Sequence, residues 1–450
     1  MDLIAQIPLI GGTLAIIIPF LIVLSVVVFV HEYGHYIVGR WCGIGAQVFS
    51  VGFGKPLLGW TDKRGTRWQI AALPLGGFVK FTGDMDPASA GRADDATLSE
   101  AERASAFHNA ALWKRAITVF AGPGANFLLS IVLFAAIALA VGKASNEPII
   151  AAVDPEAAEQ IGFQAGDRVL SVGGEEVEDF AGILNAMHRA DGETLEAVVE
   201  RGGARVAVDL TYGSSPRIDT IAPGMPAAQA GIAPGDRVVS IDGIPVRSFY
   251  QMQVITNDLE HGAPVELVVL RGARELTFTF VPEIIERNNP VTGEVEPLPT
   301  FGVRSNGNRL IEAPMQGVGF GEAGLIGVSK TWEIVTGTVT FIGDMVFANA
   351  DTSQLGGPIR IAEISGERAE QGVGEFIFLI ALLSTSIGLL NLFPIPVLDG
   401  GHLMFYAAEA VRGRPIGERW LAVGNMIGLS LVLSLMVFVT YNDIARFWAG

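Results

Sequence analysis

The sequence predicts an α-helical polytopic membrane protein: four transmembrane helices, a membrane-associated β-hairpin and two inserted, mostly β domains. Three observations lead there. Half of the 450 residues are hydrophobic and only 17% are charged, against roughly 25% charged in an average soluble chain. The apolar residues concentrate near both ends and around position 125. Between those stretches, residues 143–313 carry 26 acidic and 13 basic side chains, as a solvated insert would.

The first span is assigned to 13–38. Leu14 to Val30 is almost wholly apolar, and about 20 such residues cross about 30 Å of hydrocarbon. Residues 1–12 contain no Lys or Arg, whereas a cleaved signal peptide opens with positive charge, so the run reads as a retained helix. The same reasoning assigns spans two, three and four to 113–142, 374–393 and 420–441. The loop 39–112 carries Arg40, Lys55, Lys63, Arg64, Arg67, Lys80, Arg92 and Arg103, and Lys114 and Arg115 follow it. Arg412, Arg414 and Arg419 lie between spans three and four. Basic short loops stay in the cytoplasm, which puts the N-terminus, the insert and the C-terminus outside. Within 39–112, residues 57–61 and 66–73 read as strands joined by the polar turn Asp62-Lys63-Arg64-Gly65. Residues 317–348 are interrupted by Glu322, Lys330, Glu333 and Asp344, and read as an amphipathic helix on the membrane surface.

Charge and cysteine content exclude several functions. The net charge of −17 lies mostly in the insert and would repel phosphates, so nucleic acid is not an expected partner. Cys42 is the single cysteine, which rules out an intrachain disulfide and a cysteine zinc site.

The first span ends in His31-Glu32-Tyr33-Gly34-His35. Residues four apart share a helix face, so both imidazoles can hold one metal ion, with Glu32 beside them as general base. Catalytic zinc takes three protein ligands and leaves a position open. From Leu14 to His31 is roughly 26 Å of helix at about 1.5 Å per residue, so the site falls within the bilayer. Ionisable residues at that depth are functional by default. The third ligand has two candidates in the unwound segment 394–402, where Pro394 and Pro396 break the helix. Asp399, followed by two glycines, is favoured, and His402 is its competitor.

His31-Glu32-Tyr33-Gly34-His35 on span one, with Asn391, Pro394, Pro396 and Leu398-Asp399-Gly400 after span three, resembles the site-2 protease family. The likeness is greatest to its bacterial branch with tandem PDZ domains, the regulator of sigma-E type. The resemblance implies that His31, His35 and Asp399 bind Zn2+, that Glu32 is the base and that Asn391 helps bind substrate. It implies that the hairpin dips into the bilayer and pairs its edge with an extended substrate. Its substrates would be single-span membrane proteins, such as an anti-sigma factor already cut outside, in a stress response at the bacterial inner membrane. In span two, Gly122 and Asn126 share a face; helix packing accounts for them as well as proximity to the site does.

Within the insert, Gly162 to Gly174 aligns with Gly231 to Gly243 at a constant offset of 69. Each copy reads as helix end, Gly-Asp turn, alternating strand and Gly turn. The pair resembles tandem PDZ domains, over 146–214 and 215–306, serving either to bind PDZ ligands or as a size filter. Two other functions are weighed. A catalytically silent membrane scaffold or chaperone with a structural zinc would not need Glu32. A transporter would carry an inverted repeat of spans, and none is visible.

Overall fold

The computed structural model describes residues 11–83, 98–153, 162–189, 194–211, 216–222, 225–246, 249–288, 295–305, 311–347 and 356–449. Residues 1–10, Arg92 and Ala348, used in the expectations above, lie outside these. The chain forms two compact units, one from 1–141 and 318–444, the other from 142–317 with 445–450.

In the first unit, helix α1 (Gly11–Trp41) leads into strands β1 (Ala46–Thr61) and β2 (Arg67–Phe81), an antiparallel hairpin. Both strands run beyond the expected 57–61 and 66–73. Gly52 and Gly54, at φ of 91° and 87°, bend β1. Its first half pairs with Gly77–Phe81 on one edge and Arg67–Ile70 on the other, and its second half returns to pair with Arg67–Ala71. Asp62 ties the tip together, accepting from the Trp68 indole at 3.0 Å, the Tyr36 hydroxyl at 3.2 Å and the backbone of Arg64 and Thr66. Burial alone would raise this carboxyl, but those hydrogen bonds, led by Trp68, hold it below its ordinary range. Helix α2 (Leu112–Val141) then packs on α1. A Cβ on Gly34 would collide with the Ala121 carbonyl, so only glycine allows this approach.

The insert contains two sheets of one topology. In the first, β3 (Arg168–Val172) is flanked by Glu175–Glu176 and by β4 (Thr194–Arg201), which pairs with β5 (Ala204–Thr211). Gly202 and Gly203 both have positive φ, 60° and 83°, as a two-residue hairpin turn of the primed type demands. In the second, β6 (Arg237–Ile241) lies between Ile244–Pro245 and β7 (Val265–Arg271), which pairs with β8 (Arg274–Phe280). Helices α3 (Phe180–Arg189) and α4 (Phe249–Asn257) complete the copies. Even the register shift recurs, at Val169/Ser171 and Val238/Ser240.

The two copies are nested in the chain. The first core, around Phe163, Val169, Ile183 and Val199, is closed by Ile311, which lies beyond the second copy. Val153 pairs with Ile311 across a short ribbon, as Ile221 pairs with Val303 in the second. The boundary at 214 therefore understates the first domain. At the base, Lys143–Ala144 pairs with Met315–Gln316 and ties the insert's two ends together.

Each copy buries one carboxylate under an arginine: Asp167 with Arg201 and Asp236 with Arg271, both at 2.7 Å. Each aspartate also accepts from a turn N–H, of Gln164 or Ala233. Burial would raise Asp236, but Arg271 and the turn hold it below 3.8. A depressed native value means that the pair stabilises the fold above the unfolded value and loses that effect as pH falls through the native one. The melting temperature of the insert in the full chain should therefore fall below pH about 4. Asp236→Asn should lower it at neutral pH and flatten that slope; an unchanged acid limb would show that other carboxylates set it.

After the insert come α5 (Phe320–Phe347), α6 (Pro358–Gln371), α7 (Val373–Asn391), α8 (Asp399–Arg412) and α9 (Glu418–Ala449). Among the described residues, four helices are long and apolar enough to cross a membrane: Leu14–Trp41, Leu112–Val141, Val373–Asn391 and Arg419–Ile444. They match the four expected spans to within a few residues. Helix α5, the expected amphipathic element, lies along α2 with Gly327 on the Ile131 carbonyl. Helix α6 was not expected from the sequence. Asp443 of α9 caps it from afar, accepting from Gly357, Ile359 and Arg360 at 2.9, 3.0 and 3.2 Å. Ser130 and Ser384 join α2 to α7 through the Ala381 and Asn126 carbonyls, at 2.6 and 2.8 Å. On α9, Leu429, Leu431, Leu433 and Leu435 are all exposed, so several faces are apolar and outward. That surface suits lipid rather than water.

Candidate metal centre

His31 and His35 sit one turn apart on α1, and their rings meet edge to face with centroids 4.8 Å apart. Both are buried. The α7–α8 connection brings Asp399 onto them as the first residue of α8. His31 Nε2 lies 3.1 Å from Asp399 Oδ2, His35 Nε2 lies 3.5 Å from Oδ1, and the two Nε2 atoms are 3.2 Å apart. Asp399 Oδ2 is buried and finds no donor of acceptable geometry. Four donor atoms converge with little else to satisfy them.

These residues fit zinc. Its N and O ligands stand about 2.0–2.2 Å away at tetrahedral corners, hence roughly 3.3 Å from one another, and the observed spacings bracket that value. The set of two imidazoles and one carboxylate suits it as well. His402 lines the same cavity but does not join the three-residue donor group.

The far side of each imidazole is also occupied. His35 Nδ1 is 2.9 Å from the Thr118 carbonyl, which can only accept, so Nδ1 carries the proton and Nε2 keeps its lone pair. His31 Nδ1 is 3.2 Å from the Asn126 amide, whose placed oxygen is buried without a partner. Turning that amide over makes the oxygen the acceptor of Nδ1–H and frees His31 Nε2 in the same way. In the sequence the one signal for Asn126 is the face it shares with Gly122, which helix packing explains equally well. Gly122 abuts the His35 ring so closely that any Cβ there would overlap it.

Glu32, next to the pair, lines a cavity of about 320 Å3 with His31, His35, Asn391, Asp399 and His402. The Val79 N–H of β2 hydrogen-bonds its carboxylate. A Cβ on Gly77 would stand 3.1 Å from Glu32 Cγ, so the bare strand edge passes directly beside it. Phe53, Phe78, Ile387, Val397 and Leu398 supply apolar wall. Arg115 braces α8 by pairing with Glu409 at 2.8 Å and lying over Tyr406.

The turn that delivers Asp399 is strained. Leu398 N–H donates to the Ile395 carbonyl at 3.0 Å, Pro396 stands second, and Val397 stands third with φ of 89°. This is a type II turn, whose third position normally takes Gly or Asn. A β-branched residue there costs about 1–3 kcal/mol.

A family profile described as Peptidase family M50 matches residues 19–435. Proteins of Agrobacterium fabrum and Mesorhizobium japonicum, each named "Putative zinc metalloprotease" (Atu1380 and mll0638), are similar over nearly the full length. The first is 40% identical, covering 95% of this chain and 95% of its own. The second is 38% identical, covering 96% and 99%. "Metalloprotease MmpA" of Caulobacter vibrioides is 31% identical, covering 97% of each chain.

Proposed function

The chain belongs to peptidase family M50, the site-2 proteases, and is a membrane zinc metalloprotease; from that premise we propose that it hydrolyses peptide bonds within transmembrane segments of single-span membrane proteins. One observation supports this most. The His31, His35 and Asp399 donors and Glu32 line a single cavity whose walls come from apolar, span-length helices and a bare strand edge.

His31, His35 and Asp399 would hold the zinc, which when bound polarises the peptide carbonyl and acidifies water. Glu32 takes the proton from the attacking water and passes it to the leaving nitrogen. Its carboxylate stays oriented through the Val79 N–H. Thr118 and Asn126 fix the imidazole tautomers. Asn391, on the cavity wall, orients the substrate. A helix exposes no backbone donors or acceptors, so substrate must unwind before it is cut, and the Gly76–Val79 edge offers strand pairing to the unwound segment.

The spans lie in the bacterial inner membrane, with both termini and the insert on the periplasmic side and the basic loops in the cytoplasm. The insert's two copies are PDZ-like and act as a filter that admits substrates already trimmed outside. The substrate class is then membrane-anchored regulators, anti-sigma factors among them, in regulated proteolysis under stress.

Purified protein in liposomes should cut single-span peptides inside their apolar segment, located by mass spectrometry, and a zinc chelator should stop it. Cleavage that resists the chelator, or that falls only outside the span, would refute the assignment. In the same assay a chain lacking 146–313 should cut substrates whose external domains are still attached. Continued rejection of them would remove the filter and leave capture by the grooves.

A further inference from the structure

The strained turn before Asp399 orients a peptide group that nothing else uses. A Cβ on Gly428 of α9 would overlap the Pro396 carbonyl, so that oxygen points at span four and is held there. The 396–397 peptide is trans and planar, so the Val397 N–H points the opposite way, away from span four. Among the described residues none of α9 lines the cavity, whereas Val397, Leu398 and Asp399 all do. Among the described residues the Val397 N–H has no acceptor. It is a free donor at the wall of the site, two residues from a zinc ligand.

The strain carries the point further. Rotating the 396–397 peptide into a type I turn would give Val397 a relaxed, negative φ. It would also aim the Pro396 carbonyl into the cavity and turn the donor toward span four. The conformation adopted is the costlier of the two and the one that offers N–H to the site. Outliers of this kind cluster where function over-determines the backbone.

We propose that the Val397 backbone N–H is a catalytic hydrogen-bond donor to the carbonyl oxygen of the scissile peptide. The proposal rests on the reading of this cavity as the site of peptide hydrolysis. As the water oxygen bonds to the carbonyl carbon, its proton passes to Glu32 and the carbonyl π pair moves onto oxygen. The Val397 N–H stabilises that gathering negative charge. When the pair returns, the carbon–nitrogen bond breaks and Glu32 delivers the proton to the departing amine. A donor fixed in advance favours the charged state over the neutral carbonyl, so it acts on turnover more than on binding.

The test replaces residue 397 by its α-hydroxy acid, exchanging the amide for an ester and deleting only the N–H. The expected result is a kcat about 10²–10³-fold lower, with KM little changed and one zinc per chain retained. Affinity for a phosphonate transition-state analogue should fall by the same factor. Turnover close to that of the parent would overturn the proposal. Should the ester chain not fold, Gly428→Ala acts through the same peptide from outside the cavity. It should lower kcat at least about tenfold with zinc intact, and unchanged kcat would overturn the proposal equally. Failure of the wider reading looks different: the parent itself would not cleave, or would cleave in chelator.

Discussion

Glu32→Gln should keep one zinc per chain and cleave about 10²–10⁴-fold more slowly than the parent. Gln has the volume of Glu and can still accept the Val79 N–H through its amide oxygen. It cannot take a proton at neutral pH. Since Glu32 stands outside the three-residue donor group, its loss of charge leaves the metal's holders in place. The two quantities to measure are metal content by elemental analysis and kcat on a membrane peptide in liposomes. Turnover within about tenfold of the parent would move the base elsewhere, with His402, on the same cavity wall and not assigned to zinc, as the next candidate.

That Glu32 and its two histidines could be found by sequence is a consequence of the helix. A five-residue pattern on a span states its own geometry, because i and i+4 must share a face. Asp399 was legible for a different reason: paired prolines and glycines mark a place where backbone unwinds beside the membrane. The four spans declared themselves by length and hydropathy alone.

What stayed hidden depends on contacts between distant segments. Ile311 looks like any apolar residue after a repeat; only the folded sheet makes it the last piece of the first core. Helix α6 is polar, with Gly366 in its middle, and its partners are Ala15, Ile16 and Asp443 on other helices. Asn126 carries no local mark beyond the face it shares with Gly122, since the ring it meets is 95 residues away. Val397 reads as an ordinary apolar residue between a proline and a leucine. Its positive φ follows from Gly428 and Gly401 closing on Pro396, which no window of sequence contains.

The zinc site itself should respond in three grades. His31→Ala, His35→Ala or Asp399→Ala each removes a donor from a set in which every member lies 3.1–3.5 Å from another. With two ligands left, zinc should be lost on purification, an affinity change beyond about 100-fold. Asn126→Leu removes no ligand but strips the acceptor from His31 Nδ1–H, so affinity should fall about 10–100-fold. Asn126→Asp supplies a carboxylate acceptor at the same place and should restore it. His402→Ala leaves all three ligands and their outer partners untouched, so zinc should remain. Chelator competition on the folded, detergent-solubilised chain reads all of these without recourse to activity. Full zinc retention by both histidine variants would refute the site outright. Loss of zinc in His402→Ala with retention in Asp399→Ala would exchange the third ligand, and equal affinity in Asn126→Leu and the parent would leave Asn126 a packing residue.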